Sequence, residues 1–372
     1  MNHTTVYVGM DVHKESFSLC CYTIEDDSAK YVQKIQANYK LVISYISKMR
    51  SIYGDTADFI CGYEAGCLGF SLYHQLVDHG QKCIILAPTT MMAEKGRKRV
   101  KTDKRDAVVI ARCLACHTYH PVHIPTDQDE QVKEYIRMRD DHKLQLKKIK
   151  QQILAFCLRH GYVYDDGRHW TIKHLQWLRS LTPEAIYAEV LSEYLLTYTN
   201  LSDKLERYDK RIGELASKDE YKASVNKLSC FLGIKTATAL STIVEVGDFK
   251  RFAKPENFAS YLGLTPGEDS SGGDRNRLSI TKAGNTHVRR LLVEAAQSFG
   301  KGQIGYKSKA LKERQSANPP ETIAYADKAN ERLRRKYYRL TLHHGKKANV
   351  AKTAVARELA CFIWGMMNEQ YA

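Results

Sequence analysis

Four acidic residues occupy positions from which they could act together. Asp11 follows a short apolar, β-branched run, TVYVGM (5–10), and Glu64 ends another, DFICGYE (58–64). Asp103 and Asp106 stand three apart in KTDKRDA, where a helical pattern begins, and so share one face. Carboxylates brought together by adjacent strand ends and a facing helix repel one another and raise their own pKa values. A divalent cation removes that cost. Mg²⁺, or Mn²⁺ in its place, suits carboxylate and water oxygens, and two such ions can clamp the attacking and leaving oxygens of a phosphodiester. Each acid alone has an ordinary explanation: acids in a first helical turn favour the dipole, Asp11 fits a turn and Glu64 a loop. Their joint placement is what points to metal-assisted phosphoryl transfer.

A second constellation is Ser270-Ser271-Gly272-Gly273, inside a glycine- and serine-rich stretch read as a loop, TPGEDSSGGDRN (265–276). A serine among glycines can expose its hydroxyl and let the backbone approach a phosphate, although such loops are common. Lys282, Arg289 and Arg290 follow and could hold phosphate oxygens. Upstream, LGIKTATAL (232–240) is like a helix-hairpin-helix turn, in which backbone N–H groups meet a DNA phosphate. Lys235 stands where such turns carry a second glycine, so a plain helix corner fits equally.

Cys113, Cys116 and His117 spell the haem-attachment pattern C-x-x-C-H, with His120 nearby. That attachment requires export, and MNHTTVYVGMDVHKES has neither a basic n-region nor an apolar h-region. No second C-x-x-C completes a zinc site. Buried helical thiols are therefore expected. A cytoplasmic location and reduced cysteines follow, and no run of about 18 apolar residues offers a membrane span.

The elements that must position these residues come in two styles. Up to about residue 125 the order is three strands, helix, strand, helix, strand, helix, which predicts an α/β domain with a mixed, ribonuclease-H-like sheet. Farther along, residues 130–160 read as a lysine-rich amphipathic helix. In 185–216, Tyr194, Tyr198, Leu201, Leu205, Tyr208, Ile212 and Leu215 alternate gaps of four and three. That is a heptad seam, which could pair with the first helix or with another copy of the chain. A thirty-residue helix spans roughly 45 Å, enough either to return within one chain or to reach a partner. Beyond residue 226 the pattern is mainly helical, with a helix over 286–300, a basic, loop-containing tail over 301–349 and a last amphipathic helix from 350.

Charge points to the partner. The 372 residues carry a formal net charge of +15. Residues 301–350 hold thirteen Lys/Arg against four Asp/Glu, and RLRRKYYR (332–339) interleaves aromatics with Arg332, Arg334, Arg335 and Lys336. A fifty-residue excess of that kind favours nucleic acid over a merely solvated face.

The segments YVGMDVHKES, GYEAG, KTDKRDA, LGIKTATALSTIVEVGDFKRF, YLGLTP, SSGG, ITKAGNTHVRRLL and GKKANVAKTAVARELACFIW, in that order, resemble the insertion-sequence one-ten family of DEDD transposases, related to Piv-type DNA invertases. The resemblance covers nearly the whole chain. It implies a RuvC-like domain over 1–125 whose metal-binding carboxylates match Asp11, Glu64, Asp103 and Asp106. It further implies a coiled-coil region over 126–225, a transposase domain over 226–349 and a closing helix over 350–372. Ser271 matches the nucleophile, with Ser270 as the alternative one residue away. Covalent phosphoserine chemistry, donor and target DNA, a guiding bridge RNA and assembly as dimers or tetramers are implied in the same way. The competing readings are a RuvC-like Holliday-junction nuclease with the same acids and an idle serine, and a non-catalytic nucleic-acid-binding scaffold.

Overall fold

Alternation of apolar side chains builds the first part of the chain. Strands β1 (Thr5–Val12), β2 (Ser16–Thr23) and β3 (Ser28–Gln36) form an antiparallel meander. Helix α1 (Tyr39–Tyr53) starts at Asn38, whose side chain accepts the Lys40 N–H, and stops at Gly54. Strand β4 (Asp58–Glu64) then pairs parallel to β1, helix α2 (Ser71–Asp78) follows, and β5 (Lys82–Leu86) pairs parallel to β4. The sheet is mixed, in the order β3-β2-β1-β4-β5. This is the element order that the sequence predicts. Helix α3 (Asp103–Ala115) comes last.

The computed structural model describes residues 4–66, 68–91, 103–271 and 274–371, without the side chains of residues 89, 103, 104, 269–271 and 274–277. The chain divides into two units, Met1–Ile124 and Pro125–Ala372. In the first, successive strand residues serve opposite faces. Val6, Val8 and Met10 of β1 and Phe59, Cys61 and Tyr63 of β4 join the core under α1 and α2. Tyr7 and Ile60, of the other parity, belong to the layer that α3 covers. Among the described residues no helix is long and apolar enough to cross a membrane.

The second unit is helical. Helix α4 (Asp127–Arg159), capped by Thr126, packs on α6 (Ala185–Ala216). The pair is antiparallel: Tyr135 meets Tyr208 near one end (ring centroids 5.8 Å) and Phe156 meets Tyr194 near the other (6.4 Å). The heptad seam of α6 is thus engaged by α4 of the same chain, and Arg139 grips Asp209 across it. Between them, where the sequence shows no regular pattern, lies α5 (Ile172–Ser180), which closes a small aromatic core at the hairpin tip with Phe156, Trp170 and Tyr198.

The rest of this unit packs around a larger core. It contains α7 (Asp219–Ser229), α8 (Thr236–Val246), α9 (Pro255–Tyr261), the strands β6 (Pro266–Ser271) and β7 (Asp274–Ile280), and α10 (Thr286–Ala296). Helices α11 (Lys309–Gln315), α12 (Pro320–Tyr338) and α13 (Ala348–Met367) complete it. One expectation changes here. The stretch read as a loop is an antiparallel ribbon, β6 with β7. The tail is largely helical, and only its joints are irregular.

Candidate active site

Asp11 and Glu64 reach the same place for a local reason. The parallel register of β1 with β4 ends at Met10↔Tyr63, so the two acids are the next residues on neighbouring strands. Their parity is that of Tyr7 and Ile60, the parity of the face under α3. Gly9 explains why α3 lies so close. A Cβ there would stand 2.1 Å from the Ala107 carbonyl oxygen and 2.5 Å from the Ala111 nitrogen. The helix therefore crosses β1 in direct backbone contact, with Asp106 one residue before the crossing. The Asp11 side chain is 14% exposed and lies within hydrogen-bond distance of His13 Nε2, at 3.0 Å. Glu64 is exposed and Asp106 half-buried.

The Asp103 side chain lies outside the described residues, so the fourth acid is placed only by its backbone, at the first residue of α3. Among the described residues no three His, Cys, Asp or Glu side chains form a group ready to hold a metal ion. The donor set that is present is all carboxylate, which fits a hard divalent cation. Cys113 is buried on α3 as expected, whereas Cys116 is exposed, just past the end of that helix.

In the second unit the ribbon carries the serine motif. Ser271, the last residue of β6, pairs with Asp274, and Ser270 with Arg275. Gly272 and Gly273 and the side chains of both serines lie outside the described residues. The base of the ribbon is fixed more firmly than its sequence suggests. Thr281 N–H donates to Thr265 O (2.9 Å), Lys282 N–H to Gly263 O (3.1 Å) and Asn285 N–H to Tyr261 O (3.0 Å). Gly263 (φ +63°) and Gly284 (φ +86°) make this possible. Cβ atoms there would meet Ala283 O at 2.1 Å and Tyr261 O at 2.0 Å, so the two loops interlock through their glycines. Lys282 is exposed and itself has positive φ, +56°.

The basic residues divide by environment. Arg289 donates to Leu262 O at 2.8 Å, and burial lowers its pKa. Arg290 pairs with Asp140 of α4 and with Glu294. Arg334 is 6% exposed and donates to the Gln303 and Tyr306 carbonyls. Arg332 and Lys336 both bind Glu358, and Arg335, 66% exposed, pairs with Glu331. Burial pushes the Glu358 carboxyl up, but Lys336 and Arg332 together hold it below its ordinary value.

A polar layer that the sequence reading did not single out joins α4, α8 and α10. Glu245, on α8, has a side chain only 2% exposed. It accepts two hydrogen bonds from Arg137 (2.7 and 3.0 Å) and one from Asn285 Nδ2 (3.0 Å). Burial alone would raise its pKa, yet Arg137 and Asn285 hold it below 4.5. The available signal was a lone acid in an apolar helical run, TATALSTIVEV. Next to it, Ser241, His287 and Asp140 match a hydrolase triad in composition only. Ser241 Oγ (3.0 Å) and Asp140 (3.7 Å) both approach the same nitrogen, His287 Nε2, and Ser241 is 1% exposed.

Comparison with known proteins bears on both units. A family model described as Transposase, for the DEDD group of IS110, matches residues 8–160, and one described as Transposase IS116/IS110/IS902 family matches residues 225–307. The chain is 32% identical over 369 residues to the putative transposase y4qE of Sinorhizobium fredii (strain NBRC 101917 / NGR234), covering 99% of this chain and 90% of that protein. It is 31% identical to the transposase for insertion sequence element IS1533 of Leptospira borgpetersenii, covering 90% and 96%. It is 25% identical to the pilin gene-inverting protein of Moraxella lacunata, covering 79% and 84%. The two matched spans contain the four acids and the serine ribbon respectively, together with Glu245 and Asn285.

Proposed function

The chain belongs to the IS110 family of transposases, enzymes that cut and rejoin DNA, and from that premise we propose that it does so through a phosphoserine assisted by divalent metal. The observation that carries the reading is the convergence of Asp11 and Glu64 on the sheet face covered by α3, whose first turn carries Asp103 and Asp106. These four acids would hold Mg²⁺ or Mn²⁺. A bound ion would supply charge stabilisation at the phosphate and favour the ionised form of an attacking hydroxyl.

Ser271, or Ser270 beside it, is the nucleophile in this reading. Its Oγ bonds to phosphorus as the bridging P–O bond to one strand breaks, and the departing hydroxyl takes up a proton. A hydroxyl of the strand to be joined then attacks the same phosphorus and returns the serine. One phosphodiester is exchanged for another, so no ATP is needed. Gly263 and Gly284 set the base of the ribbon that presents the serine.

Nucleic acid would lie on the exposed cations Arg332 and Arg335, with Lys336 beside them, and on Lys282 at the base of the ribbon. Arg289, Arg290 and Arg334 keep the scaffold in shape around them. The same basic surface would serve donor and target DNA and, by family, a guiding RNA that reads sequence by base pairing. In domain terms, residues 1–125 bring a RuvC-like metal centre, 126–225 a helical hairpin used in assembly as dimers or tetramers, and 226–349 the serine, closed by the helix over 350–372.

The test is a denaturing gel of DNA end-labelled at the element boundary, incubated with protein, RNA and Mg²⁺. A protein–DNA adduct that survives denaturation, vanishes in Ser271→Ala and persists in Ser270→Ala supports the assignment. Strand cutting to free ends by both serine variants, with no adduct, would mark the chain as a hydrolytic nuclease instead.

A further inference from the structure

Asn285 sits where the ribbon base, α9 and α10 meet, and it uses every polar group it has. Its N–H donates to Tyr261 O, and its Oδ1 accepts the Val288 N–H as the cap of α10 (3.0 Å). Its Nδ2 donates to Glu245 Oε2 (3.0 Å) and approaches Tyr261 Oη (3.3 Å). The amide is therefore oriented by two opposite demands: the helix cap needs its oxygen, and Glu245 needs its nitrogen. An Asn held in this way has one rotamer, and its backbone N–H then fixes the distance from residue 285 to residue 261. Those two positions bracket the interlocked loops and the ribbon between them.

Glu245 is an expensive choice for a purely structural role. A carboxylate with its side chain 2% exposed carries a large desolvation cost, and a well-packed apolar residue would hold α8 at least as well. What the carboxylate adds is direction. Arg137 takes it in a two-pronged grip, which sets the plane of its oxygens and so the point at which Asn285 Nδ2 must stand. Arg137 is on α4, so the register of the long helical hairpin is passed to the ribbon through three side chains, Arg137, Glu245 and Asn285.

We infer that Glu245, held by Arg137, is a positioning residue for strand exchange: through Asn285 it fixes the two loops from which the Ser270–Ser271 ribbon springs. The inference rests on the serine reading given above, but its mechanical half can be measured without it. Glu245→Ala would leave Arg137 and Asn285 both unpartnered and risks unfolding, so the informative change is Asn285→Asp. It keeps the shape and the cap oxygen, removes the donor, and sets one carboxylate against another. Adding Glu245→Gln to it restores a donor–acceptor pair with the polarity reversed and the same total charge, and it gives up one of the two Arg137 bonds, because the amide nitrogen then stands where Glu245 Oε2 accepts from both Arg137 and Asn285.

The experiment compares the full-length protein, Asn285→Asp, and the double variant by amide hydrogen exchange and by strand joining. In Asn285→Asp, the Thr281, Lys282 and Asn285 amides should exchange about tenfold faster or more, the scale of one lost hydrogen bond to a charged group. Amides inside α8 and α10 should hold. DNA affinity should stay within about twofold while joining falls about tenfold or more, and the double variant should recover part of both exchange and joining. Ribbon-base amides that stay protected in Asn285→Asp, or a double variant no better than the single, overturn the inference. So does Asn285→Asp that joins normally while Ser271→Ala and Ser270→Ala together abolish joining, a result that leaves the serine reading intact. If the serine variants join normally, that reading falls, and the exchange rates still decide whether Glu245 holds the ribbon.

Discussion

A carboxylate that serves chemistry and one that serves packing differ in what their removal costs. Glu64 is exposed, Asp106 half-buried, and Asp11 is held beside His13 at the rim of the sheet. None supports the core, so alanine at Asp11, Glu64 or Asp106 should leave the melting temperature nearly unchanged. Cutting should nonetheless fall by about a hundredfold or more, the usual cost of removing a group that stabilises charge in a transition state. Asp106→Ala that cuts normally in Mg²⁺ would remove it from the site. The tail arginines give the converse case. Arg334 is buried and tied to two carbonyls of residues 303–306, so Arg334→Ala should cost about 2–4 kcal/mol in urea unfolding. Arg335 is exposed, so Arg335→Ala should cost about 0.5 kcal/mol or less yet weaken DNA binding and flatten its salt dependence. Both sit in the same RLRRKYYR run. Only the helix phase tells them apart, and composition does not carry phase.

At the scale of elements, the acids of the proposed site depend on how closely α3 lies on β1. Gly9→Ala would put a methyl group into the Ala107 carbonyl, so α3 must lift. The expected cost is about 2 kcal/mol or more, with loss of cutting out of proportion to it, read by comparing urea midpoints with cleavage rates. Unchanged cleavage in that variant would mean that α3 need not be seated for the acids to work. The buried polar layer predicts a pH dependence. The Glu245 carboxyl lies below its ordinary 4.5 in the folded chain, so the folded state binds fewer protons than the unfolded one. Its stabilisation is complete above about pH 4.5 and is lost as the pH falls through the folded value. His287, lowered from 6.5 by burial, starts the same downward trend below pH 6.5. Urea midpoints taken from pH 7 to pH 4 should fall, and Glu245→Gln should flatten the limb below 4.5 while leaving the His287 limb. The alternating strands and the heptad seam were legible because burial on one face imposes a period. The β6–β7 ribbon was not: DRNRLSI has no apolar period, and its only signal was a pair of glycines between two polar runs. Nor could spacing show that Glu245 and Asn285, forty residues apart, meet.

At the scale of the whole molecule, the serine and the acids of the proposed reaction either belong to one subunit or come from two. The acids belong to Met1–Ile124 and the serines to Pro125–Ala372. Length alone argues little, because α4 and α6 run antiparallel and bring the chain back to the end from which the hairpin set out. The surface of that hairpin argues more. Leu158 is 80% exposed, Ile172 78%, Ile186 71% and Val163 69%, an apolar tip that a lone chain would hide if it could. Pairing of two copies at that tip would tie two transposases into one assembly. A site shared between subunits would then keep chemistry waiting until both DNA partners are in place. Mixing two variants decides it: Asp11→Ala subunits would lack the proposed metal centre, and Ser271→Ala subunits the proposed nucleophile. If sites form in trans, a mixed dimer contains one site with both groups intact, and joining should return to roughly a quarter of the wild-type level, since half of the dimers are mixed and each has one good site. If sites form within one chain, every site in the mixture lacks one group and no joining returns, provided that mixed dimers are shown to be present. Replacing Leu158 and Ile172 with Glu should abolish any rescue along with the mixed dimers, while leaving the melting temperature within a few degrees, because both side chains already face water.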